Sequence, residues 1–253
     1  MTAILSHLLP GGRDGLAAFG GGLTRPETLD SGMWDSHRAD LLGAPDAWRS
    51  DPGLRLLAPA NAEDARHVPI LADATGLPAV ERIAVTIDYS PFPLALVFHP
   101  GRALPMLGFG VKYEIAGPIR VSALSDGAWI MAGTFIDAMG GGCSAPAATH
   151  ARPDWQDGFG EMRARLWPDT GRLRVAIRHP MDTGLAQGIP AHHLSELILR
   201  DAQGTDIARL EIHEPLEENP VLTFLLPPDL ARGPISVSAR DTSGFRFAGE
   251  VSA

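Results

Sequence analysis

The sequence predicts an all-β protein, two antiparallel β-sandwiches preceded by a short helix. Three observations carry that prediction. Short apolar runs alternate with polar residues at a period of two, as in Ile83, Val85 and Ile87 against Arg82, Thr86 and Asp88. Turn residues separate these runs at short intervals, among them Gly117-Pro118, Ser125-Asp126-Gly127, Gly233-Pro234 and Asp241-Thr242-Ser243-Gly244. No strand–helix–strand rhythm runs through the chain, which argues against a doubly wound nucleotide-binding sheet.

Residues 1–32 are glycine-rich with little apolar material (Gly11, Gly12, Gly15, Gly20, Gly21, Gly22) and read as a loose leader. Met1–Pro10 lacks the positive start and longer apolar core of a secretory signal. From Met33 the pattern Met33, Trp34, His37, Leu41 has helical spacing, with Asp30 or Ser31 as N-cap and Gly43 past the end. Leu54–Pro59 and Val68–Ala72 are brief extended runs. Strands follow at 83–87, 94–98, 107–115, 119–124 and 129–136, with Tyr89-Ser90-Pro91-Phe92-Pro93 as a turn or edge. Residues 144–170 form a connector, in which Phe159, Met162 and Leu166 lie on one helical face and predict a short helix over 159–167. The second half, 171–253, repeats the β pattern. It has a strand at 172–178, a hairpin of 194–200 with 207–213, and strands at 221–226, 235–240 and 245–251. Trp34, Trp48 and Trp129 are read as core.

The chain is long enough for two small domains, each with its own core. Its formal charge is −9, and 20 of its 21 basic residues are arginine, Lys112 being the one lysine. No basic cluster stands out in the sequence, so nucleic acid is not expected as a partner. No apolar run is long enough to cross a bilayer, so no membrane insertion is expected.

Cys143 is the single cysteine, which excludes an intramolecular disulfide and a cysteine-cluster zinc site. It follows Gly140, Gly141 and Gly142 and precedes Ser144-Ala145-Pro146. A lone cysteine is ordinarily a small buried hydrophobe. Here the neighbours offer nothing to be buried with, so the expectation is an exposed thiol on a mobile glycine arm. No cation lies near it in sequence, so activation by this chain is not visible. His192-His193 and the strand pair Glu211 and His213 have ligand-like placement but lack a recognisable third and fourth ligand. They read as exposed or hydrogen-bonded, and no metal is expected. His179, in the loop His179-Pro180-Met181-Asp182-Thr183-Gly184, is a minor functional candidate beside a structural loop role. A nucleophile pair of Cys143 with His150, His179 or His99 would make an enzyme, but a thiol on a loose arm lacks the fixed orientation this needs. Gly108-Phe109-Gly110 falls in a strand pattern and is no phosphate loop.

Two sets of motifs resemble known families. The loop 179–184, Ile189-Pro190-Ala191-His192, Glu218-Asn219-Pro220 and Asp241-Thr242-Ser243-Gly244 resemble SoxZ. Ala58-Pro59, Ala62-Glu63-Asp64, Val68-Pro69, Ile87-Asp88-Tyr89-Ser90-Pro91 and Gly141-Gly142-Cys143 resemble SoxY. The order is similar to that of fused SoxYZ-like carriers associated with quinoprotein dehydrogenases. The resemblance implies an immunoglobulin-like sandwich for residues 33–143 and another for 171–253. It implies a periplasmic, non-enzymatic carrier without cofactor or catalytic residues, holding a sulfur-containing intermediate on Cys143, with Gly140, Gly141, Gly142 and Ser144 as its arm. Partners would be a c-type cytochrome and a sulfate-releasing hydrolase of thiosulfate oxidation, or a quinoprotein dehydrogenase for which the chain is an accessory module without cargo. SoxY has Gly-Gly-Cys-Gly-Gly at a free C-terminus. Here Ser144 and Ala145 replace the last glycines and the chain continues, so the arm is tethered at both ends.

Overall fold

The computed structural model describes residues 29–43, 48–151 and 153–252; most of the predicted leader lies outside them. The first element is helix α1 (Trp34–Leu42), closed by Gly43 in the left-handed conformation at φ 55°. Its N-cap is Met33, not Asp30 or Ser31, and Ser31 Oγ donates instead to Asp88. Nine strands of the first half follow, β1 (Trp48–Arg49), β2 (Arg55–Leu57), β3 (Asn61–Ala62), β4 (Val68–Asp73), β5 (Val80–Ile87), β6 (Leu94–His99), β7 (Leu104–Val111), β8 (Gly117–Ser125) and β9 (Ala128–Ala138). A 3-10 turn at Ala148–Ala151 leads to β10 (Met162–Trp167), β11 (Arg172–Ile177), β12 (Leu194–Arg200), β13 (Asp206–Ile212), β14 (Val221–Leu225), β15 (Ile235–Asp241) and β16 (Arg246–Val251).

The helix predicted over 159–167 is corrected by the structure: residues 162–167 are strand β10. Arg163 and Arg165 point to solvent while Leu166 is buried, a period of two. The ladder to β11, from Met162↔Ile177 to Trp167↔Arg172, satisfies the backbone that a helix would have satisfied internally.

The two halves do not stand apart. One sheet runs β1-β9-β8-β5-β6-β13-β12-β15-β16, with β3 beside β9, and the other runs β10-β11-β14-β7-β4-β2. Each half thus contributes to both sheets, and the halves join edge to edge twice. In the first sheet β6 pairs antiparallel with β13, Phe98 opposite Leu210. In the second β7 pairs with β14, Leu107 opposite Phe224. Between the sheets Phe98 meets Phe224 edge to face at 6.0 Å, across the junction of the halves. The apolar core is continuous through this point, from Val68, Ile83 and Val121 to Leu173, Leu197 and Val237. Trp129 is buried with Leu42 and Ala84, and Trp34 and Trp48 cover that cluster from outside.

Candidate functional site

The site is where β7 ends, β9 ends and the 179–184 loop of the second half meet. Cys143 lies there with 0% exposure, which corrects the expectation of an exposed thiol on a mobile arm. The glycines are used for docking. Gly140 has φ 90° and Gly141 φ 79°, which side-chain-bearing residues rarely adopt. A Cβ on Gly142 would lie 2.2 Å from the Ala65 carbonyl oxygen. The backbone can therefore press against the segment after β7. Gly141 N–H donates to the Glu114 carbonyl at 2.9 Å and Gly142 N–H to the Tyr113 carbonyl at 2.8 Å.

Side chains from both halves complete the clasp. The Glu114 carboxylate accepts the N–H of Cys143 at 3.0 Å, the N–H of Ser144 at 2.9 Å and the Ser144 hydroxyl at 2.8 Å. Thr183 Oγ1, from the second half, donates to the Cys143 carbonyl at 2.6 Å. The thiol faces the Lys112 carbonyl, Sγ to O 3.7 Å. Lys112 is itself buried, and its ammonium donates to the carbonyl of Met181, which takes a left-handed φ of 53°. Glu218 caps the 3-10 turn beyond the arm, accepting from Ala148 N–H at 2.7 Å and Thr149 N–H at 2.9 Å. His150 contacts Asp182 at 2.8 Å.

Electrostatics follow from that burial. Burial pushes the Cys143 thiol up to about 11, with Lys112 and a hydrogen bond from Ser90 opposing and Glu114 and Glu214 adding. Burial also lowers Lys112 to about 8, against the pull of Cys143, Asp182, Glu218 and Glu214. The docked thiol is thus protonated and a poor nucleophile near neutral pH.

The two shifts act on stability with opposite signs. Lys112 is depressed from 10.5, so the unfolded chain binds more protons and stability rises with pH between about 8 and 10.5. Cys143 is raised from 9.0, so stability falls with pH between 9 and about 11. In the parent protein the two slopes oppose each other where they overlap. Lys112→Met is expected to lose stability on going from pH 9 to 11, and Cys143→Ala to gain it from pH 8 to 10.5. Urea titrations across this range, read as differences from the parent, check both signs.

The other predicted residues fall elsewhere. His179 is buried, and its Nδ1 accepts the Met181 N–H at 3.1 Å. His179 Nε2 lies 3.5 Å and His192 Nε2 2.8 Å from Asp241 Oδ2. These three could in principle hold a metal ion, their ligand atoms lying within 4.8 Å of one another. The Met181 contact argues for hydrogen bonding instead. It places the lone pair of neutral His179 on Nδ1 and the proton on Nε2, where it is donated to Asp241. Burial, with His192 adding, lowers His179 to about 4, so it is neutral near pH 7. Phe159 packs over both rings, 5.3 and 5.5 Å between centroids. His192 and His193 diverge, since His193 bonds to the Leu194 carbonyl at 2.9 Å and contacts Glu214 at 3.4 Å. Glu211 pairs with His99 at 3.0 Å.

Sequence reasoning missed Glu114, Lys112 and Thr183. Lys112 had a signal, as the one lysine in a chain of arginines, and Thr183 lay in the 179–184 motif; Glu114 had none, and only the fold brings the three to Cys143.

The chain matches two family models in succession, sulfur oxidation protein SoxY over residues 38–143 and sulphur oxidation protein SoxZ over 162–252. The first match ends on Cys143. No curated protein matches the chain. Among solved structures it is similar to the sulfur carrier protein SoxY from Chlorobium limicola f thiosulfatophilum, at 16% identity and TM-score 0.37, covering 44% of this chain and 96% of that one. It is also similar to a beta-glycosidase from Bacteroides vulgatus, at 13% identity and TM-score 0.25, covering 79% of this chain and 24% of that one. A third is extracellular domains 3–5 of Drosophila OTK, at 14% identity and TM-score 0.23, covering 81% of this chain and 66% of that one.

Proposed function

The chain belongs to the SoxY and SoxZ sulfur oxidation families, joined in that order on one polypeptide, and on that footing we propose that it is a covalent carrier of a sulfur-containing intermediate on Cys143. The observation that carries this reading is the placement of the single cysteine at the end of the SoxY match, behind three glycines and ahead of the connector. Loading would join Sγ to a sulfur of the cargo. The thiol proton goes to solvent and two electrons pass to a c-type cytochrome partner. A sulfate-releasing hydrolase would act on the loaded arm. The chain would supply no catalytic group and work in the periplasm.

Because the thiol is docked, loading requires the 140–144 segment to leave its seat and enter the partner as a loop held at both ends. Such tethering keeps cargo at high effective concentration near each docked partner. Intact mass of the protein from its native host, before and after a thiol reductant, tests the reading. The expected result is a reductant-labile adduct on Cys143, with a mass made of sulfur or sulfur–oxygen units. An unmodified thiol under every growth condition would overturn it.

Complete burial of Cys143 favours a second reading, an accessory module for a quinoprotein dehydrogenase in which the thiol is a packed core atom. Cys143→Ala separates the two. It is expected to keep the fold at a cost of about 1 kcal/mol, that of one buried heavy atom, and to abolish the sulfur pathway. Retained pathway function in a folded Cys143→Ala protein would instead support the accessory module.

A further inference from the structure

We propose that the outer face of β10 and β11 is a docking surface for an acidic region of a partner protein. Antiparallel pairing sets Arg165 directly opposite Arg174 and Trp167 opposite Arg172, with Arg163 one step along the same face. The inward residues Leu166, Leu173, Val175 and Ile177 belong to the core, so the alternate positions must face out. Trp167 lies between two guanidiniums, 4.6 Å from Arg165 and 3.7 Å from Arg172. Like charges directly opposite on adjacent strands are destabilising. Burial and then the charges of Arg174 and Arg165 hold the pKa of Arg172 below its ordinary value.

On the other sheet Arg246 also stands opposite an arginine, Arg240, and among the described residues has no ion pair, but the neighbouring arginines there are neutralised. On its outer side Arg209 pairs with Glu196 at 2.8 Å and Glu211 at 3.0 Å, Arg200 with Asp206 at 2.8 Å, and Arg240 with Glu196 at 3.5 Å. On the β10–β11 face Arg163 has Glu161 at 2.8 Å. Among the described residues no carboxylate forms an ion pair with Arg165, Arg174 or Arg178. The fold therefore gathers positive charge on one face of a chain whose formal charge is −9. A half-buried tryptophan beside arginines is the composition of an interface centre, and the counter-charge that Arg165, Arg174 and Arg178 lack is what an acidic protein surface supplies.

The face also adjoins the carrier arm. A cleft of 390 Å³ is lined by Arg163, Ala176 and Arg178 together with Glu161, Thr149 and Asn219. Thr149 sits in the 3-10 turn that Glu218 caps, six residues after Cys143. A partner seated on the arginines would lie beside the connector. The proposal rests on the carrier reading only for why that proximity is useful.

The test places a photoreactive residue at Ala176 in the full chain expressed in its host, with Ala248 on the other sheet as control. The cross-linked protein is identified and purified, and its affinity is measured against the parent chain. The expected result is a protein adduct from position 176 only. Its binding should weaken roughly tenfold or more on Arg165→Glu with Arg174→Glu, and less for the Gln pair. Rising salt should weaken it too, and Arg240→Glu with Arg246→Glu should leave it unchanged. Equal adducts at both positions would overturn the proposal. So would an adduct with lipid, nucleic acid or a second copy of the chain, or an affinity indifferent to the Arg165 and Arg174 charges. Cys143→Ala is run in parallel and should dock normally, so loss of the carrier reading and loss of the docking face give different results.

Discussion

Glu114→Ala is expected to raise the rate of Cys143 alkylation at pH 7.5 by up to about a hundredfold. The carboxylate of Glu114 accepts three of the hydrogen bonds that seat the arm, from two backbone N–H groups and one hydroxyl. Without it, residues 143 and 144 lose their side-chain acceptor, and the glycines before them have no side chains with which to hold on. An undocked thiol returns from about 11 toward its ordinary 9.0, which multiplies the thiolate fraction about a hundredfold at any pH below both values. Removing Glu114 also takes away one of the charges that raises the thiol. Iodoacetamide labelling followed by mass spectrometry reads the rate directly. A labelling rate equal to that of the parent, in a folded protein, would mean that packing alone seats Cys143. Thr183→Val is expected to act in the same direction with a smaller effect, since it removes one bond, to the Cys143 carbonyl.

Arg120→Met should destabilise the fold by about 3–5 kcal/mol, the cost of leaving a buried charge without its partner. The side chains of Arg120 and Asp88 both have 0% exposure. Arg120 Nε lies 3.0 and 3.1 Å from the two Asp88 oxygens, and Nη2 is 2.7 Å from Oδ2. Around this pair the N-terminal segment is assembled. Ser31 donates to Asp88, Arg120 donates to the Leu29 carbonyl, and Trp34 lies over the guanidinium at 4.7 Å. The loss should therefore free helix α1 as well as lower global stability. Guanidinium chloride titration gives the stability, and hydrogen exchange at residues 34–42 reports the helix. Arg120→Met with Asp88→Leu should recover much of the loss, because neither charge is then stranded. A loss under about 1 kcal/mol in the single variant would contradict the assignment of a dry, obligatory ion pair.

The strands were legible because each carries its own local signal. Ile83, Val85 and Ile87 alternate with polar neighbours, and Ile207–His213 follows a turn of Asp201 to Gly204. Two readings failed where a local signal had two physical meanings. Phe159, Met162 and Leu166 fit a helical face. Yet Phe159 ends among the histidines 179 and 192, while Met162 starts a strand whose arginines face out. Glycines beside a cysteine permit motion and equally permit close backbone approach. Which meaning holds depends on Glu114 and Tyr113, which hydrogen-bond to the arm, and on Ala65, whose carbonyl lies against Gly142, all distant from it in sequence. Lys112 meets Cys143 within the first half and Thr183 meets it from the second, and no window of sequence contains them together. The junction itself, β6 on β13 and β7 on β14, lies over 100 residues apart in the chain and leaves no local trace.

That junction has a consequence for how the molecule depends on its own covalent continuity. Two hydrogen-bonded ladders and a shared apolar interior hold the halves in register independently of the peptide link between Ser144 and Glu161. Cleavage within it would leave two fragments that stay mated as a heterodimer and could be reassembled from separate genes. What the link supplies is bookkeeping of another kind: one copy of each half per molecule, and a loop instead of a tail as the only path by which Cys143 can reach the outside.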